Sequence, residues 1–326
     1  MKGKIVHTLV LSTAKEIKKK TTDVVIRPYK SSPDYEEYFP KYKTLEKPIE
    51  KEIEGRKVII NLKSFNDNLI VESETEFDEK EINKILDIKV MLYDECQKNA
   101  KKYEPSLFFE DYNFYCISDY ESYDKYIAAN RIKIASLLKD ETIDLINKEI
   151  NETMSSNLKY GKEDTVIIDW DGAFILDKKK EFNEIISLIE MANIQLLNLR
   201  ILDNKLQEEI ARIKKLIDFG KLKIFKLNYY IKDIVKLRSK SLLELDSIEN
   251  IIKLYGDWYS ARLYNIASRK MYIEKWRSNV EAKLNLLKEM YDMVSQRMSE
   301  SYNIILEATI VLLIIMEIFL ALFKIY

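Results

Sequence analysis

One histidine, two cysteines, six glycines and five prolines are all that this 326-residue chain holds of the residues that most often mark metal sites, disulfides and tight loops. A single imidazole rules out a two-histidine metal centre, and a catalytic histidine would have to be His7 itself, inside a strand-like run. Cys96 and Cys116 form no CxxC pair, so a structural zinc site is excluded. They read as two unpaired, mostly buried thiols in a reducing compartment. Average usage would give roughly 7% glycine and 5% proline, so the chain lacks the turns of an all-β sandwich and the glycines of a phosphate-cradling loop. Net charge is scarce too: 53 Lys+Arg stand against 54 Asp+Glu, leaving -1. A protein drawn to nucleic acid by its charge would carry a surplus of cations, and nucleic acid is therefore not an expected partner. These counts give no cofactor, no metal and no catalytic residue.

What the chain does contain falls into two parts, an α+β fold class. The apolar run Ile5, Val6, Leu9, Val10 and Leu11 is too short and too interrupted for a signal peptide and predicts a first strand. Val24-Val25-Ile26 and Val58–Leu62 predict further strands, with Pro28, Pro33, Pro40 and Pro48 gathered in an irregular stretch between and beside them. Asp78 and Glu81 have the spacing of a capping box that opens a helix through Ile82, Ile85, Leu86, Val90, Tyr93 and Cys96. Nine aromatics lie between Tyr103 and Tyr126. The charges among them are mainly acidic, which points to packing rather than to a base-stacking platform. Val166–Ile168 and Ala173–Leu176 flank Asp169-Trp170-Asp171-Gly172, predicting a hairpin in which Asp171-Gly172 supplies the turn and Trp170 covers the core. A mixed α/β domain over residues 1–178 follows.

After Asp177 the period changes from two to between three and four. Ile185, Leu188, Ile189, Ala192, Leu196, Leu199, Leu202, Leu206, Ile210, Ile213 and Leu216 predict one helix of about 55 Å. A second runs from Leu222 to Tyr255, and a third begins near Asp257 and settles into heptads at Ile273, Trp276, Val280, Leu284, Leu287, Tyr291, Val294 and Met298. Residues 179–303 thus read as a coiled-coil stalk, and the narrow seam Val280, Leu284, Leu287, Tyr291, Val294 and Met298 is expected to join copies into a homo-oligomer, the alternative being that residues 181–218 of the same chain cover it in a monomeric antiparallel bundle. Along the second helix, Lys221, Lys223, Lys226, Lys232, Lys236, Arg238 and Lys240 face a single acid, Asp233. Solvated lysines on a rod are the main reading; contact with anionic headgroups or an RNA backbone is the alternative. From Ile304 to Phe323 the chain is apolar but for Glu307, Thr309 and Glu317, and twenty helical residues span about 30 Å of hydrocarbon. This predicts a transmembrane helix with only Lys324, Ile325 and Tyr326 beyond it, hence a tail-anchored, single-pass protein with its N-terminal bulk in the cytoplasm. Carboxyls inside a span are costly, so Glu307 and Glu317 are candidates for headgroup or helix–helix contact.

Two motifs resemble known families. Val166-Ile-Ile-Asp-Trp-Asp-Gly172 resembles the first motif of haloacid-dehalogenase-type phosphatases, which would make Asp169 the nucleophile and Asp171 the general acid beside Mg²⁺. The α/β sheet, lysine and acidic loop that complete that site are not found downstream, and the position after the glycine is Ala173. At the other end, Asp292-Met293-Val294, Met298, Leu306-Glu307 and, nine residues on, Glu317 resemble the C-terminus of the family named "required for meiotic nuclear division", over about the last 70 residues. That resemblance implies a membrane-anchored, oligomeric protein without an assigned reaction, with mitochondrial relatives associated with the inner membrane and organelle translation. The architecture also parallels CorA-type magnesium channels, though with one span and no Gly-Met-Asn loop. The sequence thus points to a membrane scaffold or tether acting through an unknown protein partner and not to an enzyme, with a Mg²⁺-dependent phosphatase or an oligomeric ion-transport protein as the alternatives.

Overall fold

In the computed structural model, residues 1–13, 22–25, 41–65, 68–218, 224–250 and 258–323 are described. Pro28, Pro33, Pro40, Ile26, Lys221 and Lys223 lie outside them. The β-branched runs pair into one ten-stranded sheet. Its strands are β1 (Lys2–Thr13), β2 (Thr22–Val25), β3 (Lys41–Thr44), β4 (Ile49–Ile53), β5 (Arg56–Phe65), β6 (Asn68–Asp78), β7 (Pro105–Ile117), β8 (Asn157–Leu158), β9 (Thr165–Ile168) and β10 (Gly172–Leu176). They lie in the order β2-β3-β5-β6-β1-β7-β10-β9-β8, with β4 beside β5. Every pair is antiparallel except β7 with β10, which run parallel.

β1 sits at the centre, which is why its side chains are buried on both faces from Ile5 to Leu11. Successive residues of a strand point to opposite faces. Ile5, Leu9 and Leu11 share one core with Ile60, Leu62, Leu69 and Val71 of the neighbouring strands. Ile85, Ile88 and Leu92 of α1 (Ile82–Ala100) and Ile134, Leu137 and Leu138 of α2 (Tyr123–Leu138) complete it. A short α3 (Asn147–Ser155) follows. Val10 and Ile70 face the other way, where they meet Met191, Ile194 and Leu197 of α4 (Phe182–Asp218). α4 is therefore the second cover of the sheet, and from Leu188 to Leu197 it is buried all round. On its far side the Tyr264 hydroxyl of α6 (Trp258–Lys270) donates to Gln195.

Local signals were met unevenly. The left-handed turn of this sheet is at Glu54-Gly55, with φ of 50° and 71° between β4 and β5. Asp171-Gly172 is a different device: neither residue has positive φ. Gly172 is required because a Cβ there would lie 3.0 Å from the Asn113 carbonyl oxygen. The expected capping box does not form. Asp78 remains in β6, paired with Lys2, and Glu81 is the N-cap of α1 without a side-chain capping bond.

The helical half is made of α4, α5 (Ile224–Asn250), α6 and α7 (Ile273–Phe323). The expected third helix is broken at Met271-Tyr272, where Tyr272 has φ 52°. α7 then runs unbroken for 51 residues, about 76 Å at 1.5 Å per residue. The expected boundary at 178/179 matches the change from strand to helix, but the packed units divide elsewhere. One comprises Met1–Ile201 with Ser247–Trp276, the other Leu202–Asp246 with Arg277–Tyr326. The first half of α4 belongs to the sheet's unit because its apolar surface is the sheet's cover, with Ile185, Leu188, Ile189, Met191, Ala192, Ile194, Leu196, Leu197 and Leu199 all buried.

Candidate functional site

α7 changes character along its length. Val280, Leu284, Leu287 and Val294 are buried, and Tyr291 and Met298 half-buried, within the single chain. The stripe expected to join copies is thus already covered in its own unit. Lys283 Nζ of α7 lies 2.8 Å from Asp203 Oδ1 of α4, and Arg212 of α4 faces Asp233 of α5 at 4.0 Å. Beyond Ser301 every described side chain of α7 is exposed, Glu307 and Glu317 included. Ile304 is 65% exposed and Leu320 61%. Two helices, α4 and α7, are long and apolar enough to cross a membrane, but α4's apolar stretch is mostly buried in the protein and α7's not at all.

Of the expected basic residues, Lys232, Lys236 and Lys240 are exposed along α5 and Arg238 is half-buried, while Lys226 lies in the first turn of α5.

The Asp169–Asp171 segment is the turn of the β9–β10 hairpin, with Ala173 opposite Ile168. Asp169 is buried and fully engaged. Thr153 Oγ1 donates to its Oδ2 at 2.7 Å and the Trp170 N–H to its Oδ1 at 3.0 Å. Lys270 Nζ stands 3.3 Å from Oδ1 and Lys139 Nζ 3.9 Å from Oδ2. The carboxylate ties α3, α2 and α6 to the sheet. Burial, and then the charges of Asp140 and Asp111, push Asp171 up to about 6. Among the described residues no three His, Cys, Asp or Glu side chains converge as metal ligands. Trp170, expected over the core, is 43% exposed and rests against Tyr272 at 5.6 Å between ring centroids. The hairpin turn carries it outward. Replacing Asp169 by asparagine is accordingly expected to lower stability by about 1–3 kcal/mol, because Lys270 loses its charged partner in a half-buried setting. A variant with an unchanged unfolding midpoint that had lost phosphate-ester hydrolysis would instead favour the phosphatase-like reading.

A second polar cluster was not anticipated. Between the sheet and α4, Lys63 of β5 donates to Glu72 of β6, and Asn61 Nδ2 donates to Glu72 at 3.2 Å. Glu190 of α4, fully buried, accepts from Thr8 Oγ1 at 3.0 Å, while its Oε2 has no hydrogen-bond partner among the described residues and the charge of Glu72 is close by. Two neighbouring buried carboxyls cannot both ionise, so one of them keeps its proton. Burial, and then the charge of Glu72, raise Glu190 well above the usual range, making it the neutral partner. Burial also works against an ionised Glu72, but the charge of Lys63 and the bonds from Lys63 and Asn61 outweigh it and hold Glu72 low. The sequence signal was a polar trio, Glu190, Asn193 and Gln195, inside a stretch of α4 with no solvent face. His7, beside this centre on the opposite sheet face, bonds Asn113 at 2.8 Å and is held below its usual pKa by burial. Cys96 and Cys116 are both buried and free, their thiols pushed up to about 12 by burial.

The fold and its apolar helix thus define an α/β sheet protein extended by long helices. Residues 61–183 match the family described as "Uncharacterized protein MJ0711, N-terminal domain". Over 291 residues, 89% of this chain and 88% of the relative, the chain is 38% identical to "Uncharacterized protein MJ0711" of Methanocaldococcus jannaschii. The chain belongs to that family. No solved structure matches it.

Proposed function

We propose that this protein is a membrane-anchored scaffold or tether, held in the bilayer by residues 304–323 of α7 and acting through protein contacts rather than through a reaction of its own. One observation carries the reading: α7 exposes an apolar surface on all sides over its last twenty residues, where a soluble protein would bury or lack it. The resemblance of this end to the "required for meiotic nuclear division" family supports the same assignment. Glu307 and Glu317 are ten residues apart, which sets them about 80° apart around the helix and so on one side of it. Self-association is proposed through that side, since a carboxyl in hydrocarbon needs a polar neighbour and a second copy brings one. The unit containing the sheet lies on the cytoplasmic side in this reading, where the free thiols of Cys96 and Cys116 remain reduced.

Full-length protein is expected to stay with the membrane fraction through alkaline carbonate extraction. Protein ending at Ser299 keeps the buried stripe to Val294 and is expected to be recovered without detergent. Full-length protein released by carbonate would overturn the anchor.

A further inference from the structure

We propose that the end of the three-helix unit nearest the membrane segment, where α4 meets α5, is a cationic collar that rests on anionic lipid headgroups through Lys214, Lys215, Lys232 and Lys236. This inference rests on the anchor reading above. Between Arg212 and Lys240 the sequence carries ten Lys and Arg and two Asp, in a chain whose total charge is -1. Such segregation is not what a merely solvated rod requires. The four lysines are exposed, and none has an ion pair among the described residues. On the same outward side of α5, one turn before Lys232, Tyr229 is 63% exposed. Lysines beside a large exposed aromatic suit a membrane surface, where the ring enters the interface and the ammonium groups meet phosphate.

The geometry sets the collar's height. Asp203, at the start of this unit's stretch of α4, pairs with Lys283, near the start of its stretch of α7. One turn earlier on α4 the Arg200 guanidinium lies over the Trp276 ring, so increasing numbers on α4 meet increasing numbers on α7 and the two helices run in the same direction, while the stripe of α7 stays buried through Leu284, Leu287, Met290 and Val294. Lys214 and Lys215 then stand level with residues 294–295, about 14 Å before Ile304 at 1.5 Å per residue. Headgroups occupy about 5–8 Å outside the hydrocarbon, which leaves the lipid phosphates within about one Debye length of the lysines. Arg212 opposite Asp233 brings Lys232 of α5 to the same level, with Lys236 one turn behind. Each cation at such a surface tightens binding about fivefold.

The test uses the full chain in lipid nanodiscs of phosphatidylcholine, with and without phosphatidylglycerol. Spin labels are placed singly through Lys205→Cys, Lys215→Cys and Lys232→Cys, the native thiols being buried. A nickel-chelating lipid is expected to relax the labels at 215 and 232 several-fold more than the one at 205, which lies about 15 Å further from the bilayer along the same helix. The combined variant Lys214→Glu, Lys215→Glu, Lys232→Glu and Lys236→Glu is expected to remain carbonate-resistant yet lose at least about tenfold of the preference for anionic over zwitterionic nanodiscs. Carbonate-resistant protein with equal relaxation at all three positions, or with a preference that survives charge reversal, overturns the collar and leaves the anchor standing. Release by carbonate overturns both. Binding of a single-stranded RNA by the full chain, lost on charge reversal while no lipid preference exists, assigns the surface to RNA and overturns the lipid proposal.

Discussion

Replacing Lys63 by methionine is expected to destabilise the sheet-containing unit by about 3–5 kcal/mol at neutral pH, the range seen when one partner of a buried charge network is removed. Glu72 and Glu190 are both buried between sheet and α4, and Lys63 is the cation that makes an ionised Glu72 tolerable there. Without it, Glu72 must take up a proton or remain as an unpaired buried charge. Trp170, Trp258 and Trp276 all belong to this unit, so urea unfolding in mild detergent can be followed by tryptophan fluorescence. A midpoint change worth less than about 1 kcal/mol would reject the network's structural role. The same cluster fixes the sign of a pH effect. Glu190 has its pKa raised by folding; above the ordinary glutamate range the unfolded chain has released a proton that the native state keeps, so stability falls as pH climbs through the window up to Glu190's native value. Glu72 has its pKa lowered, so its contribution is present above the ordinary range and is lost as pH falls below it. Glu190→Gln keeps an acceptor for Thr8 and gains a donor to Glu72 without the titrating proton. Its stability relative to the natural chain is expected to rise between pH 4 and 8.

Introducing a carboxyl one turn further along the same face should be far worse. Ile194 is fully buried and sits with Val10, Tyr42, Phe65, Ile70, Met191 and Leu197, an apolar group whose one hydroxyl, that of Tyr42, already donates to the Ser187 carbonyl. Ile194→Glu therefore places an unpartnered acid in an apolar layer, at a cost of several kcal/mol. That is a large share of the roughly 5–15 kcal/mol that holds a typical domain together. The variant is expected to be recovered unfolded or aggregated, whereas Ile194→Ala should fold with a loss of about 2–5 kcal/mol. A well-folded Ile194→Glu protein with a near-normal midpoint would mean that α4 does not cover this face of the sheet.

The contrast between positions 190 and 194 shows where sequence reading stopped. Both occur in the same apolar run, and the period of that run identified a long helix correctly to within a residue or two at each end. Its burial was another matter. The short apolar run of β1 and the β-branched residues of Val58–Leu62 announced strands because such runs are too short for a helix and suit a pleated, packed surface. A helix covered first by a sheet and then by other helices writes only that it is apolar, so the first half of α4 read as stalk. The stripe on α7 stated only that a covering surface exists, and within the single chain Val280, Leu284, Leu287 and Val294 are buried. Trp170 was assigned to the core on size alone, while the direction of the β9–β10 turn carried it outward.

The sequence by itself determined the two-part organisation, the strands at β1 and β5, the hairpin around Asp169 to Asp171 and the long apolar end of α7. Each depends on residues close together in the chain, through side-chain period, turn chemistry or an unbroken apolar run. Only the tertiary structure decided that Lys63, Glu72 and Glu190 gather in one buried layer and that Asp169 is an anchor for Lys270. Apart from Lys63 and Glu72, nine positions apart, those relations join residues about a hundred or more positions apart. Burial turns their mutual distance into energy, and a linear pattern of residue types contains no term for that distance.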